Sequence, residues 1–109
     1  MGTVQIDGST PKITVGNATA EDATILFDGN AQDFYIALDD SADDLLIGLG
    51  STVGTTPMLS FTEAKAAAFT GAVTMASTLG VTGVVTGAGF TAGSAVLAEA
   101  ELELLDGLT

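Results

Sequence analysis

A chain of 109 residues with 47% apolar content carries enough hydrophobic material for one ordinary domain or a short run of repeats, which disfavours simple disorder. Its fourteen carboxylates face only Lys12 and Lys65, and the net charge of -12 repels phosphate backbones and anionic lipid head groups, so nucleic acid and membrane surfaces are poor partners. With no histidine and no cysteine, the chain cannot build Cys- or His-dependent triads, Cys/His zinc sites or iron–sulfur clusters, and only oxygen ligands remain.

In chain order, the first expected elements are two short strands, Val4 with Ile6 and Ile13 with Val15, punctuated by "DGSTP" and "GN". From Asp22 to Gly54 the sequence repeats at a step of eleven, as DATILFDGNAQ, DFYIALDDSAD and DLLIGLGSTVG. Asp22, Asp33 and Asp44 fall together in this alignment, as do Ile25, Ile36 and Ile47, then Phe27, Leu38 and Leu49. Within each unit the apolar residues sit two apart (Phe34, Ile36, Leu38; Leu45, Ile47, Leu49), the spacing of a strand with one buried face, and each unit closes on residues that suit turns. Residues 1–56 therefore read as a β-repeat region forming a meander, a prism or a solenoid.

The character changes near Pro57. Residues 57–93 read as a shaft rich in Gly, Ala, Thr and Val, and no charged residue occurs from Ala66 to Ala98. That run is long enough to suggest a membrane helix, but Thr70, Thr74, Thr78, Thr82 and Thr86 alternate with apolar positions and glycines interrupt it, as in a two-faced strand. Along one parity it reads Val73, Met75, Ser77, then Leu79, Val81, Gly83, then Val85, Gly87, Gly89. A ribbon this thin cannot bury both faces alone, and uncharged alternating strands need covered edges, so copies of the chain wrapped round one axis are the expected solution. Residues 94–109 predict a short helix, with Ser94 as N-cap, Leu97, Leu102, Leu104 and Leu105 on its apolar side and a stop at Asp106-Gly107. With the like-charged pair Glu99 and Glu103, this helix needs packing partners to form.

Three phrases carry a family resemblance. "LFDGNAQDFYIALDDSADDLLIGLGSTVGTTP" resembles segments of bacteriophage tail-fibre and related virion appendage proteins, particularly marine ones. "GAVTMASTLGVTGVVTG" is similar to shaft repeats of the same class. "AEAELELLDGLT" is similar to a recurring fibre phrase A-E-L-N-x-L-D-G-V-T, with Glu103 in place of Asn and Leu108 in place of Val. The resemblance covers Leu26 to Thr109 and implies a homotrimer of intertwined β-structure along a fibre axis. It further implies a structural or adhesive role in an extracellular virion, with other virion proteins and a host-surface receptor as partners.

The acidic turn Asp39, Asp40, Asp43 and Asp44, with Asp33 nearby, is the candidate small-ligand site, since carboxylates along a turn suit calcium or magnesium. "DDSADD" lacks the glycine and the distant glutamate of an EF-hand loop, and the alternative is a solvated turn that keeps a β-rich protein soluble and blocks edge pairing. Catalysis is not expected. The acids lie in turns without an aromatic platform, as Tyr35 is the lone tyrosine and tryptophan is absent. Ser60 and Lys65 have no reason to meet, and "GLGSTVG" is followed by no lysine or helix pattern, which makes it a turn rather than a phosphate loop. Phe27, Phe34, Phe61, Phe69 and Phe90 are expected in core or axis packing, with an exposed adhesive patch as the alternative.

The sequence thus predicts a mainly β, homotrimeric fibre segment with a prism or meander, a Gly/Thr-rich shaft and a short carboxyl-terminal helix. The residues expected to drive assembly are Ile36, Leu38, Ile47 and Leu49, then Val73, Met75, Leu79, Val81 and Val85, then Leu97, Leu102, Leu104 and Leu105. Two rivals are a calcium-dependent extracellular adhesin module and the subunit of a self-assembling extracellular filament.

Overall fold

The structure, a computed structural model, describes residues 2–108. Two compact units divide it, Met1–Thr74 and Met75–Thr109. It is mainly β, with antiparallel sheets and one short helix.

The first unit is a five-stranded meander. Strands β1 (Ala23–Phe27), β2 (Phe34–Asp39), β3 (Asp44–Leu49), β4 (Pro57–Phe61) and β5 (Ala67–Phe69) follow one another in space as in sequence, each antiparallel to the last. The eleven-residue repeat supplies the first three. Because alternate strands run in opposite directions, only the centre of each repeat stays in line, and Ile25 pairs with Ile36, which pairs with Ile47. Phe27, Leu38 and Leu49, each near the carboxyl end of its strand, instead fall on alternating sides of this isoleucine row. The β2–β3 turn places Asp43 at φ 55, and the β4–β5 turn places Lys65 at φ 67, the left-handed conformation that lets a short hairpin close. Pro57 stands at the first residue of β4, beside a register shift between Ile47 and Gly48.

One face of this sheet is closed. At its centre Tyr35, Ala37, Leu46 and Gly48 are buried, and Val53, from the β3–β4 connection, packs against them, while Leu26 on β1 stays exposed. Tyr35 lies directly opposite Gly48, where a Cβ would overlap the tyrosine ring, so the strand pair tolerates no side chain there. The connection is tied down over the ring: the Gly54 N–H donates to Tyr35 Oη at 3.2 Å, Leu49 N–H to the Thr56 carbonyl at 3.0 Å, and Gly50 N–H to the Asp33 carbonyl at 2.8 Å. "GLGSTVG" is accordingly the end of β3 and this covering loop.

Several expectations are corrected here. The two strands at Val4–Ile6 and Ile13–Val15 do not form; these pairs of apolar residues are too short to pair and all four side chains are exposed. Pro57–Phe69, read as the start of the shaft, supplies β4 and β5 of the first sheet. Of the rest of the shaft, Gly89–Ala92 form a strand of the second unit, and residues 70–88 contain none, because their Gly-broken alternation finds no partner within one chain.

The second unit holds the hairpin β6 (Gly89–Ala92) and β7 (Ala95–Ala98), followed by α1 (Glu99–Asp106). Gly93, at φ 62, and Ser94 make the turn. Ser94 is therefore not the N-cap: Ala98 is, and its N–H donates to Glu101 Oε2 at 3.0 Å. Leu97 belongs to β7, opposite Phe90, rather than to the helix. The helix ends at Asp106, and Gly107 N–H donates back to the Glu103 carbonyl at 3.1 Å.

Candidate assembly surface

The second face of the five-stranded sheet is open and apolar from edge to edge. Cross-strand pairing aligns it in three rows. The central row is Ile25, Ile36, Ile47, Leu59 and Phe69; beside it run Ala23, Leu38, Leu45, Phe61 and Ala67, and on the other side Phe27, Phe34 and Leu49. Eight large side chains of this face are exposed, from 38% for Ile36 to 59% for Phe69, while Ile47, Leu49 and Leu59 are half-buried. No charged residue stands in any of the rows. A shallow depression of about 200 Å³ lies between Val15, Ala23, Ile25, Ile36, Leu38 and Leu45, where the small Ala23 leaves room in its row.

At the hairpin ends three carboxylates satisfy backbone groups. Asp22 Oδ1 accepts from the Asp40 N–H at 2.9 Å, Asp33 Oδ1 from the Gly29 N–H at 3.0 Å, and Asp39 Oδ1 from the Ser41 N–H at 3.1 Å and its hydroxyl at 2.6 Å. Two of the three repeated aspartates, Asp22 and Asp33, are thus turn clamps. Asp44 is instead the first residue of β3, paired with Asp39. Among the described residues no group of three or more acidic side chains could hold a metal ion, so Asp39, Asp40, Asp43 and Asp44 do not converge on one point.

Of the residues chosen from sequence, Ile36, Leu38, Ile47 and Leu49 all fall on the open apolar face. Val73, Met75, Leu79, Val81 and Val85 lie in the strandless stretch and are exposed. Leu102, Leu104 and Leu105 are exposed on α1, and Leu97 is half-buried in β7. All five phenylalanines are exposed, on the sheet face and in β6. What the sequence did not single out is the closed face: Tyr35, Ala37, Leu46 and Val53. Its available signal was Gly48, a glycine inside an apolar strand, which marks a close approach.

No helix among the described residues is long and apolar enough to cross a membrane. No protein-family model, curated protein or solved structure matches this chain, so the reading of its role rests on its own residues.

Proposed function

We propose that this chain is a structural segment of a homotrimeric phage tail fibre or related virion appendage, extracellular and without catalytic activity, which holds three copies in register and supports host attachment. One observation carries the reading: with 47% of the sequence apolar, the buried apolar residues among those described are Tyr35, Ala37 and Leu46 alone. A single copy leaves its sheet face, its shaft residues and the leucines of α1 in water, and an apolar surface of that extent on a soluble protein calls for a partner. The tail-fibre phrases along Leu26 to Thr109 give that partner its expected form, further copies of the same chain.

Static light scattering with and without a chelator tests this. The expected mass is three times 10.8 kDa, unchanged by chelation. A folded monomer in dilute solution overturns the reading. Open polymers that grow with concentration would transfer it to a filament subunit, and chelator-sensitive assembly to a calcium-dependent adhesin module.

A further inference from the structure

Three surfaces compete to bring copies together: the open sheet face, the strandless residues 70–88 and the leucines of α1. We propose that the open face of the β1–β5 sheet is where one copy of this chain meets another, with a protruding phenylalanine of each copy entering the depression beside Ala23 on its neighbour. This rests on the self-association proposed above and assigns it to one surface.

Area is the first argument. Eight side chains exposed by 38% to 59%, each of roughly 200 Å² for residues of this size, present an area on the order of 700 Å², close to the roughly 800 Å² that each partner contributes to a standard specific interface. The second is chemical. A partner carrying charges would have to desolvate them against rows that offer no counter-charge and no hydrogen bond. An anionic membrane would meet the acidic hairpin ends of a chain with net charge -12. Another copy brings an equally apolar face.

Shape is the third argument. Phe69 and Phe27 are the most exposed aromatics of the face, at 59% and 54%, and the depression between Val15, Ala23, Ile36, Leu38 and Leu45 has the volume of a large side chain. Knob and socket lie on the same face, so the knob of one copy can enter the socket of the next, a head-to-tail contact that can close into a ring of three. Finally, this face is preformed, fixed by five paired strands and sealed behind by the loop over Tyr35. Residues 70–88 form no strand and α1 is only eight residues long, so neither offers a surface braced by paired strands.

The chain has no cysteine, so one introduced thiol is an unambiguous reporter of cover. In the full chain, the maleimide labelling rate of Leu38→Cys is to be followed against concentration, beside Ser41→Cys in the β2–β3 turn, with assembly mass measured on the same samples. The expected result is that Leu38→Cys slows about tenfold or more across the assembly midpoint while Ser41→Cys does not change. Assembly with concentration-independent labelling of Leu38→Cys overturns the inference and leaves the trimer standing, its contacts lying elsewhere. A wild-type chain of monomeric mass removes both, whatever its labelling rate. A second variant, Ile36→Glu, is expected to raise the assembly midpoint on the order of a hundredfold while the near-ultraviolet signal of Tyr35, on the opposite face, stays native. Should that signal be lost, Ala23→Phe, which fills the depression at an edge strand, takes its place and is expected to weaken assembly about tenfold. Unchanged assembly in a folded variant overturns the inference.

Discussion

Gly48 and Tyr35 are the tightest pairing in the sheet. A methyl group at Gly48 has nowhere to go but into the tyrosine ring, which is itself held between β3 and the covering loop. Gly48→Ala is therefore expected to cost about 1–3 kcal/mol, read as a lower urea midpoint in denaturation followed by tyrosine emission. Tyr35→Phe keeps the ring and removes the acceptor of the Gly54 N–H. It is expected to cost about 1 kcal/mol, measured in the same way with thermal unfolding by circular dichroism as the common readout for a variant without tyrosine. A loss in Tyr35→Phe as large as that in Gly48→Ala would mean that the loop, rather than ring packing, closes this face.

At the scale of elements, the clamped turns and the helix behave differently. Asp22 reaches the β2–β3 turn from outside the hairpin, through the Asp40 N–H. Asp22→Ala leaves an exposed donor that water can satisfy, so the expected loss is only about 0.5–1 kcal/mol, and the melting temperature of the wild type is expected not to move on chelation. In α1 the like charges at Glu99 and Glu103 face each other across one turn, and no basic residue stands in the last turn. Glu103→Lys reverses both conditions. It is expected to stabilise the helix by about 0.3–1 kcal/mol, seen as increased helical circular dichroism at 222 nm.

The strands β2 and β3 were legible because two-residue spacing over six residues admits no other period, as Ile36 with Leu38 and Ile47 with Leu49 show. Which parity closes was not legible, since Tyr35, Ala37 and Leu46 are apolar too. The choice depends on a loop folding back over Gly48, and no local pattern encodes that. The same limit applies to the shaft: alternation at Val73, Met75, Leu79 and Val81 states a preference for extended backbone, and pairing requires a neighbouring strand that one chain does not supply. Ser94 failed as a cap because Gly93 beside it favours a tight turn, which extends the chain as β7 before the helix starts.

For the whole molecule, opposing terms govern association. Covering the apolar face of each copy favours association, and the lost freedom of motion, roughly 4–15 kcal/mol, opposes it. Each copy also carries a net charge of -12, so copies repel. Screening decides how much of that repulsion survives, and raising the salt from about 0.01 M to 0.15 M, which shortens the Debye length from about 30 Å to 8 Å, is expected to tighten assembly. Sedimentation velocity at both salt concentrations measures it, and weaker assembly at high salt would point to attractive ion pairs between copies.

The order β1 to β5 in space repeats the order in the chain, so each strand finds its mate a single turn away. Contacts so near in sequence cost little loop entropy, and topologies of this kind reach their native arrangement quickly. The ring of Tyr35 can thus become enclosed as the polypeptide emerges, before any second copy is at hand. In a refolding experiment its signal should develop as a first-order process at a rate indifferent to dilution, with the growth in mass following later and in proportion to encounter frequency.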